Sequence, residues 1–182
     1  MSIRICSGYR TISSEAAGVI AGIPPIELQI QERKEKYDGE NKETTQANLL
    51  ARWQTKWNSG TYGRWTWKLI PDVQRWLKRP CGEVDYFLTQ ALSGHGCFRK
   101  YLYDRNRADS EKCRYCDAVD DVHHTLFTCS RWEEERTQFT TETGNVFNAN
   151  NMMESLTTSE RAWTIAYAAI RRIIQTKERE ER

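Results

Sequence analysis

The chain has 182 residues, enough for one domain of ordinary size with a substantial hydrophobic core. It contains 7 Trp, 8 Tyr and 5 Phe against only 10 Gly and 4 Pro, a composition typical of a folded protein. No apolar run approaches the ~20 residues that span a bilayer, so we expect no membrane-spanning segment. The formal net charge of +2 is too small to indicate nucleic-acid binding by itself.

Helical patterns fill the first third of the chain. A short helix is predicted over 13–22, and a second one runs from Pro25 through Tyr37. The apolar residues Ile26 and Ile30 of the second helix lie one turn apart, and its charged end is typical of a solvated face. A third amphipathic helix is predicted from an apolar stripe with three- and four-residue steps, formed by Leu49, Leu50, Trp53 and Trp57.

The stretch GRWTWKLIPDVQRWLKRP interleaves aromatic and basic residues. Such mixing suits nucleic acid, because aromatic faces stack on unpaired bases while Lys and Arg neutralise phosphate. Tryptophans at helical spacing are more often core residues, however. We favour the core interpretation for Trp65, Trp67 and Trp76, with the basic residues facing outward.

A helix through Leu92, a turn at Gly94-His95-Gly96 and a short helix with an inward Phe98 are predicted next. The outer face of that short helix is basic, and basic residues continue beyond it. A compact turn can present such side chains to phosphates and bases together. The candidate nucleic-acid-binding residues are Arg99, Lys100, Arg105, Arg107, Lys112, Arg114 and Tyr115. The competing interpretation is that these are ordinary solvated charges.

Four residues with soft ligand atoms occur in CRYCDAVDDVHHTLFTC, at the spacing C-x2-C-x7-H-x4-C. Three thiolates and a neutral imidazole suit tetrahedral Zn²⁺, and four protein ligands leave no open position for a substrate or an activated water. The pattern therefore predicts one structural zinc ion bound by Cys113, Cys116, His124 and Cys129. The spacing favours His124 over His123, since one helical position turns a side chain by roughly 100° and only one of the two can face the metal.

Two alternatives exist for these cysteines: chance CxxC spacing and a disulfide framework. The N-terminus MSIRICSGYR has no apolar segment typical of a secretory signal. We therefore expect reduced thiols in a nuclear or cytoplasmic protein that is not secreted. Cys6, Cys81 and Cys97 lack ligand spacing and are interpreted as small apolar or surface residues.

The clearest pattern in the C-terminal part predicts a long amphipathic helix. A capping-box pattern from Thr157 to Glu160 precedes it, and its terminal KEREER is interpreted as a frayed, solvated end. Trp132 is expected to pack on the zinc segment. The patterns together predict a mainly α fold: a helical domain, a small zinc-stapled CCHC knuckle (residues 106–135) and this amphipathic helix.

Several stretches, taken in order, resemble the region after the reverse transcriptase domain in insect non-LTR (LINE-type, type-1) retrotransposon polyproteins. They are RTISSEAAGVIAGIPPIEL, GRWTWKLIPDVQRWL, YFLTQALSGHGCFRKYL and CRYCDAVDDVHHTLFTCSRW. The resemblance implies a thumb-like helical or linker region, here 1–105, then the knuckle at 106–135 and a C-terminal helical segment at 136–182. The parent enzyme that it implies is an RNA-directed DNA polymerase with an endonuclease.

This chain shows neither the palm-domain aspartates nor the endonuclease region of such an enzyme, so no catalysis is expected from it alone. Asp120-Asp121 imitates a polymerase aspartate pair, but it lies between zinc ligands and is interpreted as a solvated turn. The expected function is zinc-stabilised binding of template RNA or target DNA, beside the upstream reverse transcriptase domain, during target-primed reverse transcription.

Two other classes of function are alternatives. The first is a protein-docking module that packs on the polymerase domain, with zinc only as a folding staple. The second is a zinc hydrolase, which the absence of H-x-E and HExxH patterns disfavours. His95 is interpreted as a local hydrogen-bonding residue rather than an acid–base catalyst.

Overall fold

The computed structural model describes residues 1–181, which are 64% helical and contain no β-strand. The helices are α1 (Ser2–Ile5), α2 (Ser14–Ala21), α3 (Ile26–Tyr37), α4 (Lys42–Ser59), α5 (Arg64–Leu69), α6 (Val73–Leu77), α7 (Tyr86–Ser93), α8 (Arg99–Tyr103), α9 (Glu133–Thr143), α10 (Met152–Thr157) and α11 (Glu160–Glu181). A π-helical turn at His124–Thr128 and a 3₁₀ turn at Ser130–Trp132 precede α9. The predicted mainly α class is confirmed. None of the helices within the described range is long and apolar enough to cross a membrane.

Side-chain caps start several of these helices. In each case a polar side chain just before the helix accepts a hydrogen bond from a backbone N–H of the first turn, which would otherwise have no partner. The capping residues are Ser13 for α2, Asn41 for α4, Asp72 for α6 and Asp85 for α7. Short polar residues at the segment boundaries therefore explain where the helices begin.

One hydrophobic cluster extends from the N-terminal helices through residues 113–129 to α11. Trp57 and Trp76 lie at its centre, 1% and 0% exposed, and their indole N–H groups donate to the carbonyls of Ile70 and Ile20. Trp65 and Trp67 are partly buried against the same cluster. The core interpretation of these tryptophans is confirmed, and Trp132 is buried as well, at 2% exposure.

Helix α3 buries little apolar surface. Ile26 and Ile30 are 66% and 60% exposed, and Leu28 is the residue that the helix buries. The helix lies against α4 through this leucine and through the ion pairs Glu27–Lys56 and Glu35–Arg52. The contact of α3 with α4 therefore combines one buried leucine with exposed ion pairs.

The start of α11 differs from the prediction. Thr157 ends α10, where its hydroxyl donates to the Met153 carbonyl, and Ser159 accepts the N–H of Ala162 instead. The capping box predicted from Thr157 to Glu160 is therefore wrong, because the unpredicted helix α10 extends to Thr157. Helix α11 then packs on α7, α9 and α10 with a buried face formed by Trp163, Ala166, Ile170, Ile173, Ile174 and Lys177.

Gly96, in the turn before α8, lies where no larger residue fits. The Gln90 side-chain oxygen accepts the N–H of Cys97 at 3.0 Å, and a Cβ added to Gly96 would fall 1.9 Å from that oxygen. We expect Gly96→Ala to lower the free energy of unfolding by about 1–3 kcal/mol, because the buried Gln90 side chain must move.

Thermal unfolding of Gly96→Ala and Gly60→Ala tests this expectation. A Cβ on Gly60 would lie 3.4 Å from its nearest neighbour, an ordinary contact, so that change should stay within about 0.5 kcal/mol. Equal stability of the two variants would contradict the steric argument.

Candidate metal centre and nucleic-acid interface

A narrow turn brings the first two cysteines together. Lys112 and Val119 form an antiparallel bridge, and the N–H of Cys113 donates to the Ala118 carbonyl at 2.9 Å. Inside this turn the N–H of Tyr115 points at Cys113 Sγ, at 3.4 Å. The backbone thus places the side chains of Cys113 and Cys116 on the same side of one tight loop.

The histidine comes from the π-helical turn that follows. The Asp121 carboxylate accepts the N–H of His124 at 2.7 Å, which holds the beginning of the turn. His124 Nδ1 lies 3.1 Å from the Thr128 hydroxyl, and its Nε2 lies 3.3 Å from Cys116 Sγ. A hydrogen bond at one ring nitrogen leaves the other free to bind a metal. The ring of His123 lies edge-on to Trp65 instead, so His124 is the histidine that the fold places beside the cysteines.

The four candidate ligands converge. One ligand atom from each of Cys113, Cys116, His124 and Cys129 lies within 4.8 Å of the others. The Sγ atoms of Cys113 and Cys129 are 3.8 Å apart, too far for a disulfide. That separation matches two thiolates bound to one tetrahedral zinc, about 3.8 Å apart for Zn–S bonds of about 2.3 Å. Burial lowers the pKa of His124, which keeps the imidazole neutral, the form that binds metals. The cluster can therefore hold a metal ion.

The remaining cysteines lie outside this cluster. Cys6 and Cys97 are buried and Cys81 is half-buried, and all six thiols of the chain are free. The prediction that Cys6, Cys81 and Cys97 are small apolar or surface residues is consistent with these positions. His95 bonds to the Thr11 hydroxyl at 2.9 Å and stacks on Tyr101, which agrees with its interpretation as a hydrogen-bonding residue.

Asp120 is not part of a solvated turn, and that interpretation is wrong. It is 1% exposed, and its carboxylate accepts hydrogen bonds from the backbone N–H of Arg99, the Thr125 hydroxyl and the Lys177 ammonium. The Lys177 Nζ lies 2.6 Å from the carboxylate. One aspartate between two candidate metal ligands thus connects α8, the π-helical turn and α11.

The end of α11 is likewise not a solvated tail. The side chains of Lys177 and Glu181 are 3% and 6% exposed and form an ion pair one turn apart. Glu181 also pairs with Arg99 at 3.3 Å and with Arg114 at 3.1 Å. The four-residue spacing of Lys177 and Glu181 was visible in the sequence, but their distant partners were not.

The predicted nucleic-acid-binding residues differ in how far their side chains are exposed and in whether they already pair with acidic residues. Arg99 is directed inward, because its side chain is only 11% exposed and pairs with Asp109 and Glu181. Lys100 is 40% exposed and shared between two acidic side chains. Arg105 lies over the Tyr101 ring at 4.7 Å. The other residues lie partly or largely at the surface of the knuckle or just before it: Arg107, Lys112, Arg114 and Tyr115.

Arg131 adds a cation beside Tyr115 at the surface of the knuckle. It is not among the candidate binding residues predicted from the sequence. Its guanidinium lies 4.5 Å from the centre of the Trp132 ring and 5.6 Å from that of Tyr115. The signal in the sequence was the SRW that follows the last cysteine. We call Arg114, Tyr115 and Arg131 the outer knuckle surface.

Comparison with curated proteins finds relatives among type-1 retrotransposable elements. The chain is 30% identical to the Retrovirus-related Pol polyprotein from type-1 retrotransposable element R1 4 of Nasonia vitripennis, over 76% of this chain and 41% of the relative. It is 28% identical to the R1 2 polyprotein of the same organism, over 70% and 37%. It is 26% identical to the R1 polyprotein of Bradysia coprophila, over 74% and 15%.

The chain spans about two fifths of the length of the first two of these relatives. No protein-family model matches it, and no solved structure matches its fold at a significant level. The curated relatives nevertheless confirm the resemblance that the sequence motifs indicate. This chain is therefore similar to a region of the Pol polyproteins of type-1, non-LTR retrotransposable elements.

Proposed function

We propose that this chain is a non-catalytic nucleic-acid-binding module of a retrotransposon Pol polyprotein, stapled by one zinc ion. The observation that carries the proposal is the convergence of four ligand atoms within 4.8 Å, directly beside exposed cationic and aromatic side chains. Three sulfurs and one imidazole nitrogen form a donor set typical of structural zinc sites. Zinc, when bound, would neutralise the thiolates and hold the loop of Cys113 and Cys116 against Cys129.

The exposed cations of the knuckle supply the binding surface in this proposal. Arg107 and Lys112 lie at the surface, and guanidinium and ammonium groups there can contact phosphates. Tyr115 is 43% exposed, enough for its ring to stack on an unpaired base. The substrate would be template RNA or nicked target DNA, presented beside the upstream reverse transcriptase domain. The division into 1–105, 106–135 and 136–182 remains part of this proposal.

Gel-shift binding of single-stranded RNA and nicked duplex DNA across a salt series tests the proposal. The logarithm of the affinity should fall linearly with the logarithm of the salt concentration, by about 0.7 per bound phosphate for a single strand. The double variant Arg107→Gln/Lys112→Gln should bind less tightly, and its slope should be smaller by about 0.7 for each phosphate that it no longer neutralises.

The control Arg33→Gln/Lys34→Gln removes the same two charges from the exposed face of α3. It should leave the slope of the affinity against salt unchanged. No gel shift with either nucleic acid at low salt would contradict the proposed function.

A second candidate function, docking on the polymerase domain, has one specific observation in its favour. Ile26, Ile30 and Tyr37 are 66%, 60% and 91% exposed on the outer side of α3. Exposed apolar residues on one helix are typical of a protein-binding surface. Docking through them would not need nucleic acid, so the absence of a gel shift with either nucleic acid would favour this second function.

A further inference from the structure

The last turn of α11 reaches back to the outer knuckle surface. The Glu180 carboxylate accepts a hydrogen bond from the Tyr115 hydroxyl at 2.6 Å and pairs with the Arg131 guanidinium at 3.1 Å. The neighbouring Glu181 pairs with Arg114. Each of the three side chains of this surface is thus held by an acidic residue of the same helix.

Tyr115 and Arg131 form an anion-binding arrangement around that carboxylate. Tyr115 comes from the loop between Cys113 and Cys116, while Arg131 follows Cys129, so the metal cluster holds the two donors together. Arg131 is further oriented by the Trp132 ring beneath it. A guanidinium and a hydroxyl converging on one group are the donors that bind phosphate oxygens in nucleic-acid complexes.

We propose that Glu180 occupies a phosphate site formed by Tyr115 and Arg131, and that a nucleic-acid phosphate displaces it on binding. The inference rests on the proposed nucleic-acid-binding function and adds to it an internal competitor for the ligand. The acidic end of α11 would then lower the affinity of the free chain and favour ligands that present a phosphate in this position.

The two glutamates of this turn have different surroundings. The side chain of Glu181 is 6% exposed and also pairs with Lys177 and Arg99, so it belongs to the packed interior. The Glu180 side chain is 28% exposed, and its partner Arg131 is 37% exposed. Ion pairs with this much solvent contribute little to stability. A phosphate can therefore replace Glu180 while α11 stays in place.

The variant Glu180→Gln tests the proposal, because it removes the competing charge while keeping the size of the side chain. With a single-stranded RNA probe at low salt we expect it to bind about two- to fivefold more tightly than the unaltered chain, which corresponds to the loss of one exposed ion pair. The control Glu83→Gln removes the same charge from an exposed loop before α7. Circular dichroism should show unchanged helix content in both variants.

A double-mutant cycle with Arg131→Gln tests whether Glu180 masks the phosphate site, that is, occupies it in place of phosphate. It separates this masking from a general change in net charge. In the Arg131→Gln background, Glu180→Gln should no longer tighten binding. An equal gain with Glu83→Gln, or a gain that persists without Arg131, would overturn the masking proposal while leaving nucleic-acid binding intact. If no variant binds, both the nucleic-acid-binding function and the displacement of Glu180 are overturned. If Glu180→Gln is the one chain that binds, both are supported.

Discussion

Replacing Cys129 by serine, or removing the metal with a chelator, should unfold residues 111–129 while α2 to α7 keep their structure. Metal binding contributes ~10–16 kcal/mol in small zinc-binding peptides, far more than the few apolar contacts of this segment can supply. Cys129 is 1% exposed, so a serine there would also bury a hydroxyl beside the cluster.

Amide hydrogen exchange, read together with the zinc content of the purified chain, checks this expectation. The unaltered chain should hold one zinc ion, and Cys129→Ser should hold none. Because Asp120 lies inside this segment and pairs with Lys177, the last two turns of α11 should lose protection at the same time. Cys81→Ser, a change at a half-buried cysteine outside the cluster, should keep both metal and protection. Full protection of residues 113–129 from amide exchange in chelator would show that zinc does not stabilise the fold of this segment.

Asp120→Ala should lower the free energy of unfolding by about 3–5 kcal/mol, the usual cost of removing one partner from a buried ion pair. The substitution removes the nearest carboxylate from Lys177, which is 3% exposed, and removes the acceptor of the Arg99 N–H and the Thr125 hydroxyl. The melting temperature should fall by roughly 6–20 °C, at about 2–4 °C per kcal/mol for a chain of this size.

Asp104→Ala is the matched control, since Asp104 also pairs with a lysine, at 2.7 Å, but with its side chain 52% exposed. Exposed pairs contribute about 0–1 kcal/mol, so this variant should unfold within a few degrees of the unaltered chain. An equal fall in melting temperature in the two variants would show that burial of the Asp120–Lys177 pair does not increase its contribution to stability.

The stability of this pair should also depend on pH in the alkaline range. Burial alone would lower the pKa of Lys177, but the nearby carboxylates of Asp120 and Glu181 outweigh it and raise the pKa overall. A raised pKa means that the stabilisation is complete below the pKa of an unfolded lysine, about 10.4, and is lost as pH rises through the folded-state value. As pH rises above about 10.4, the free energy of unfolding should therefore fall more steeply in the unaltered chain than in the variant Lys177→Met, which has no titrating group at this position.

Local patterns in the sequence predicted a large part of this fold. Capping residues, proline pairs and apolar periodicity located α2, α3, α4 and α11, because helix formation depends on residues within a few positions of each other. Details that depend on a neighbouring element were either wrong or not predicted. Ile26 and Ile30 are exposed because α4 packs on Leu28 instead, and Thr157 does not cap α11 because it already belongs to α10.

The sequence by itself determined which residues form the candidate metal cluster, since Cys113, Cys116, His124 and Cys129 lie within one short segment whose spacing limits how the chain can fold. Only the tertiary structure decided what surrounds that cluster. Asp120 and Lys177 are 57 residues apart, and Tyr115 and Glu180 are 65 apart, so no local pattern could pair them. The packing of α11 brings these charges together, because its apolar face must be buried and its last turns then lie against the knuckle. The same packing that buries Lys177 and Glu181 places Glu180 over the surface where we propose that phosphate binds.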